Sequence, residues 1–346
     1  MTGAVDGAAP PAARPGSATT AGAVPAAVAT RSLGEQLRSG LWLPCAVVVV
    51  LVVVFSLSSE AFFTLRNFTA ISGQASTLLI ACLGASFVVL MGSIDLSVGA
   101  VVLLVGAVTV KVLNLGDVGV LALVVAVGFG GLLGLLNGAI FVIGRIPSFV
   151  VTLGMLSVFT GTAWSILEGR ALRFTSYSFE DLAIGQLIPA VPNIALFALG
   201  FWALMAVVDF KTRFGRYMYI IGGGEAVAAT TGIPVKRYKL YAFMLSGAMA
   251  GLAGALAVAR LGAAGPTLGQ DLLLNTLAAI VVGGTSLSGG VGGVHRTLIG
   301  VLIIALLDNG LNLMGVNQYA QMVIKGAVVV VAVLVGQDRG KVRVMK

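Results

Sequence analysis

Residues 70–99 read AISGQASTLLIACLGASFVVLMGSIDLSVG. The first part of this stretch, 70–91, carries no charged side chain. At 1.5 Å per residue, about 20 helical residues cross the roughly 30 Å hydrocarbon core of a bilayer. The stretch therefore reads as a membrane-spanning helix. It ends in a polar, glycine-flanked break at 92–99, after which apolar residues resume.

The same ruler finds ten candidate spans along the chain. They cover 41–57, 70–91, 97–115, 118–143, 147–167, 194–209, 241–261, 268–282, 297–314 and 318–336. The composition agrees: 58% of residues are hydrophobic and only 10% are charged, against about 25% charged in soluble domains. A soluble globule would need far more polar surface, so an ordinary soluble enzyme is excluded. The expected fold class is all-α, a polytopic membrane protein of about ten transmembrane helices. Segment 268–282 is short for a span, and the glycine-rich run after it is expected to continue the path through the protein interior.

Residues 1–30 are an Ala/Pro/Gly/Thr tract with only Asp6 and Arg14 charged. Such a tract buries too little apolar surface to offset its ordering entropy. Residues 1–40 are expected to form a disordered cytoplasmic tail, with no cleavable leader, because the first apolar run begins at Leu41 and has spanning length. Residues 41–336 form the transmembrane domain and 337–346 a basic cytoplasmic tail. With the N terminus inside, 15 Lys and Arg residues fall on the cytoplasmic side. Five fall outside: Arg66, Lys111, Arg170, Arg173 and Arg260. Lys325 sits within the last span. That bias predicts both termini in the cytoplasm.

The net charge of +8 is scattered through short loops, so no nucleic-acid partner is expected. Cys45 and Cys82 lie in apolar runs and fit no metal or disulfide spacing; they read as packing residues. The single histidine, His295, has no partner for a metal site. No loop is long enough for a nucleotide-hydrolysing domain, and no lysine follows a phosphate-cradling G-x-x-x-x-G. Leu287-Ser-Gly-Gly-Val291 resembles the LSGG signature of cassette ATPases, but without such a lysine it reads as a closely packed glycine turn. No catalytic constellation, metal or cofactor is expected.

Four segments carry information. In the break Met91-Gly-Ser-Ile-Asp-Leu-Ser-Val-Gly99, Asp95 and Ser97 are placed to cap the next helix. The break also reads as polar backbone beside a pathway or gate. In the largest loop, Gly222–Gly224 interrupt the chain. Glu225 to Thr231 then reads as a short helix stopped by Gly232 and Pro234. Its small residues Ala226, Ala228 and Ala229 suit insertion into a groove on another protein. Its basic neighbours Lys236, Arg237 and Lys239 are expected to hold the flanking loop at anionic lipid. Six of the eleven residues in 283–293 are glycine, and this run echoes the first break. Finally, Asp308 and Lys325 lie at similar depth in consecutive apolar segments. They stand either as a buried ion pair or as two separately hydrated charges.

These segments together resemble the permease subunits of bacterial ATP-binding-cassette importers of the ribose/xylose/galactose type. The resemblance rests on Ser93-Ile-Asp-Leu-Ser-Val-Gly99, Arg213-Phe-Gly-Arg216, Thr231-Gly-Ile-Pro-Val235, Val282-Gly-Gly-Thr-Ser-Leu287 and Asp308-Asn-Gly-Leu-Asn312. It departs from the family's usual residues at Ser93, Gly224 and Asp308. It implies broken helices, a location in the bacterial inner membrane and a cytoplasmic coupling helix made of Glu225, Ala226, Ala228, Ala229, Thr231 and Gly232. The implied pathway or gate includes Asp95, Ser97, Gly283, Gly284, Thr285, Ser286, Asp308 and Asn309. The implied partners are cytoplasmic ATPase subunits, an extracytoplasmic solute-binding protein, membrane lipid and a second permease subunit, identical or not. The implied cargo is a small sugar. Two competing readings are an ion-coupled secondary transporter and a passive channel; within the family, amino-acid and nucleoside permeases compete.

Overall fold

The computed structural model describes Gly3, residues 42–116 and residues 118–336. The two expected tails, 1–40 and 337–346, lie outside the described residues apart from Gly3. The chain opens with α1 (Trp42–Ser58), α2 (Leu65–Leu90), α3 (Val98–Leu115), α4 (Leu121–Gly144) and α5 (Ser148–Leu167). A two-residue strand β1 (Leu172–Arg173) and a short helix α6 (Tyr177–Ile184) lead to α7 (Asn193–Lys211). Next come α8 (Arg213–Gly223), α9 (Glu225–Thr230) and α10 (Val235–Leu261). The chain ends with β2 (Ala263–Ala264), α11 (Leu272–Val282), α12 (Val294–Leu313) and α13 (Gln318–Gly336).

Each of the ten apolar segments overlaps one of these helices. Seven of the helices, α2, α3, α4, α5, α7, α10 and α12, are long and apolar enough to cross a membrane; α1 and α11 are shorter, as is the apolar stretch Gln318–Ala332 of α13. The molecule is therefore a predominantly helical, multi-pass membrane protein. The apolar stretches of α2 and α10 are mostly buried within the protein, whereas most residues in those of α5 and α7 are not.

Small residues put α10 at the centre. Gly130 and Gly134 of α4 face Gly247 and Gly251 of α10 so closely that a Cβ on Gly130 would collide with the Gly247 carbonyl, and one on Gly247 with the Gly130 carbonyl. In lipid, burying apolar area gives helices no net drive to associate. Close backbone packing of this kind supplies dispersion contacts instead. Gly254 brings α10 equally close to Val102 of α3.

Two helices start earlier than hydropathy suggests. Thr64 caps α2 by accepting from Asn67 N–H at 3.3 Å, which carries the helix past Arg66. α10 begins at Val235, so Lys236, Arg237 and Lys239 stand on its first turns and not in a flanking loop. Lys239 is committed to protein as well: its Nζ pairs with Glu225 at 2.7 Å and lies 4.8 Å from the Phe141 ring centre. At the other end of α10, β1 and β2 pair antiparallel, with Leu172 opposite Ala264.

Candidate functional site

Three of the segments singled out in the sequence meet at one end of the bundle. The loop between α11 and α12 lays its glycines against the C-terminal end of α2 and the C-terminal end of α8. Gly290 N–H donates to the Leu90 carbonyl at 2.8 Å. A Cβ on Gly222 would collide with that same carbonyl and with Gly290 N, and one on Gly289 would come within 2.6 Å of Gly92 N. Gly289 and Gly290 hold φ of +83° and +74°, which glycine adopts at little cost. The LSGG-like residues are thus a packed turn that joins the first break to the glycines preceding α9.

Asp209, at the end of α7, ties the same loop down. Its Oδ2 accepts from Val294 N–H at 3.1 Å and from Tyr219 Oη at 3.3 Å. His295 Nδ1 lies 3.7 Å from Oδ2. Tyr219 stands 3.0 Å from the Gly292 carbonyl. Burial, then the neighbouring Asp209 carboxylate, push the Tyr219 phenol up, so it remains a donor at neutral pH. Thr285, itself buried, accepts from Gly293 N–H at 3.2 Å and closes the loop on itself. Nothing local in the sequence marks Asp209 or Tyr219 for this role.

Helix α9 leaves this junction directly. Ala228 is fully buried, while Glu225, Ala226 and Ala229 are exposed. Thr231 terminates the helix, its Oγ1 donating to the Ala228 carbonyl at 2.8 Å, and Gly232 follows with φ of +81°.

The break between α2 and α3 is stitched shut by its neighbours. Asp95 Oδ1 accepts from Ser97 N–H at 3.0 Å and from Ser97 Oγ at 2.6 Å, and Oδ2 accepts from Ser246 Oγ of α10 at 2.9 Å. Asn137 of α4 donates to Ser97 Oγ at 2.7 Å. The N–H groups of Ile94 and Leu96 reach Ser148 and Thr152 of α5 at 3.1 and 3.0 Å. The expected capping is thus only half present. Asp95 binds a free N–H, but the Ser97 hydroxyl makes no cap bond because Asp95 and Asn137 occupy it.

At the opposite end lies a cavity of about 390 Å³. Its polar lining is Gln74 and Thr77 of α2, Arg260 of α10, Thr267 of the loop after β2, Asp271 and Asn275 at α11, and Asp308 of α12. Leu78, Ala257, Leu268, Leu272 and Ala305 give it apolar walls. Asp308 is buried; its Oδ1 lies 3.0 Å from Lys325 Nζ and its Oδ2 accepts from Asn275 at 3.2 Å. Of the pathway candidates, Asp308 lines this cavity, whereas Asp95, Ser97 and Gly283 to Ser286 do not. Asn309 exchanges two amide hydrogen bonds with Asn67, at 2.8 and 3.1 Å, which bridge α12 to α2. Arg260 and Asp271 had no signal in the sequence beyond being rare polar residues near span ends, and Asn275 none beyond being a polar residue within segment 268–282. Among the described residues no group of three or more His, Cys, Asp or Glu side chains could hold a metal ion.

A chain with a closely packed, tied-down junction at one end and a partly polar cavity at the other has the parts of a transporter, and its relatives are transporters. It is 37% identical over 295 residues to the ribose import permease protein of Escherichia coli K12, covering 84% of this chain and 92% of that one. It is 38% identical over 298 residues to the ribose import permease protein of Bacillus subtilis 168, covering 84% and 90%. To the D-allose transport system permease protein of Escherichia coli K12 it is 36% identical over 289 residues, covering 83% and 88%. No solved structure matches the chain. Residues 67–333 match the family described as branched-chain amino acid transport system, permease component. The chain belongs to that family of transport permeases, and it is a transport subunit, not an enzyme.

Proposed function

We propose that this chain is the membrane-spanning subunit of an ATP-driven importer for a monosaccharide. The observation that carries this is the likeness to ribose and allose permeases over nearly the full length of both chains. Ten spans, with both termini in the cytoplasm, put α9 on the cytoplasmic side and the cavity toward the outside. Two permease subunits, identical or not, stand on two ATPase subunits. The α9 helix with Thr231 and Gly232 docks in an ATPase groove, and the glycine junction passes its movement to α2 and α12. A solute-binding protein delivers the sugar to the outer end. The stitched break at Asp95 and Ser97 and the loop at Gly283 to Ser286 then act as parts of the gate.

Uptake by proteoliposomes containing the complete importer tests this. Labelled D-ribose or D-allose should enter only with ATP, the binding protein and a hydrolysis-competent ATPase. Uptake by this chain alone, following a proton or sodium gradient, would instead make it a secondary transporter. Uptake of leucine but no sugar would move it to the amino-acid importers.

A further inference from the structure

The cavity at the end opposite α9 holds an electrostatic imbalance. Two of its charges are spoken for or wet: Asp308 pairs with Lys325, and Asp271 is exposed at the rim. Arg260 is neither. Its buried Nε has no hydrogen-bond partner, and none of the ion pairs among the described residues includes it. A cation with no carboxylate beside it in a membrane protein usually faces the bundle interior or a water-filled pathway. The fold makes room for it: its Cδ lies 3.4 Å from the point where a Cβ on Gly73 of α2 would stand.

We propose that this cavity is a monosaccharide-binding site along the import path, with Arg260 as its principal hydroxyl-binding group. The inference rests on the sugar-importer reading above and adds the place and the residues. A sugar hydroxyl both donates and accepts. The lining supplies a rigid fork of donors at Arg260, mixed groups at Gln74, Thr77 and Asn275, and acceptors at Asp271 and Asp308. The leucine and alanine walls suit the C–H face of a ring. The volume, about 390 Å³, falls at the small end of small-molecule sites, roughly 300–1,000 Å³, as befits one pentose or hexose. Because Lys325 already neutralises Asp308, the site offers a neutral ligand donors and acceptors without a second free buried charge. Trp164 Nε1 donates to the Pro266 carbonyl at 3.1 Å, fixing the loop that carries lining residues Gly265 and Thr267.

The test uses the complete importer in liposomes. A Gln74→Cys substitution, with Cys45→Ser to remove the exposed native thiol, places a reporter in the cavity wall. D-ribose or D-allose should slow its alkylation by a small water-soluble thiol reagent, and L-leucine should not. Adding Arg260→Gln should weaken that protection about tenfold or more, as expected for one hydrogen bond to a charged group. Arg260→Lys should keep part of it, which guards against a mere folding defect, and Thr77→Val should weaken it without touching charge. Import of sugar by the parent protein with no protection at saturating sugar would overturn the site while leaving the importer reading intact. Unchanged protection in Arg260→Gln would overturn the role of Arg260, and protection by leucine alone would overturn the ligand class. No sugar import by the parent protein would instead remove the importer reading itself.

Discussion

Lys325 Nζ on α13 lies 3.0 Å from Asp308 Oδ1 on α12, and both side chains are buried. Equal depth in consecutive spans allowed either a pair or two separate hydrated charges, and the helices do face each other there. Asn275 of α11 binds the other carboxylate oxygen, so three helices meet at one charge. Removing one partner leaves the other uncompensated, at a cost of about 3–5 kcal/mol where the site is dry. Asp308→Asn and Lys325→Met should each lower the thermal stability of the purified protein. The double variant should lose less than the sum, with a coupling well above the ~0.5 kcal/mol of independent sites. Strictly additive losses would mean that the pair contributes no stability.

Helix α9 offers a built-in comparison between adjacent alanines. Ala229 is exposed and Ala228 fully buried. Ala229→Trp should leave membrane insertion and stability unchanged but abolish ATP-driven uptake by blocking the ATPase groove. Ala228→Trp should destabilise the permease itself, by about 1–3 kcal/mol or more, because a buried site cannot take the ring. Uptake and melting temperature, measured on both variants, separate docking from folding. Normal uptake by Ala229→Trp would remove α9 as the coupling element.

Gly222 and Gly223 are neighbours with opposite surroundings. A Cβ on Gly222 would collide with the backbone of Leu90 and Gly290, whereas one on Gly223 would meet nothing within 4 Å. Gly222→Ala should therefore cost about 1–3 kcal/mol and impair transport by forcing the junction apart. Gly223→Ala should be near neutral in melting temperature and in uptake. Equal effects of the two would show that glycine matters there for chain flexibility and not for close approach.

These cases show what could be read from residues alone. Apolar runs announce helices, because hydrophobic side chains over about 20 residues leave few alternatives in lipid. Helix starts escape that signal where charged residues extend a span into water, as Lys236, Arg237 and Lys239 do on α10. The short helices α6 and α8 escape it because neither has the length or apolarity of a span. Gly92, Gly222, Gly289 and Gly290 stood out one by one. Their meeting did not, since contact between distant segments leaves no local trace. Arg260 is a similar case: at the end of an apolar span it reads as an external loop charge, and only the packing of α2, α10 and α11 shows it lining a cavity.

Asp95 shows how the first break is held, and its chemistry separates two substitutions of similar size. Its carboxylate accepts from Ser97 N–H, Ser97 Oγ and Ser246 Oγ in a buried site. An amide at this position keeps one acceptor oxygen, and the serine hydroxyls can rotate to accept from its NH₂. Asp95→Asn should therefore cost little stability. Asp95→Leu keeps the bulk but offers no acceptor, leaving a buried N–H and two hydroxyls to find other partners. An unsatisfied buried donor costs about 1–3 kcal/mol, so this variant should melt far lower. Adding Ser246→Ala to Asp95→Leu removes one orphaned hydroxyl and should restore part of the loss, even though it deletes a second polar group from the wild-type network. Thermal unfolding of the four proteins measures this. A further fall on adding Ser246→Ala would mean that Ser246 finds another partner once Asp95 is gone, and that the carboxylate is not what satisfies it.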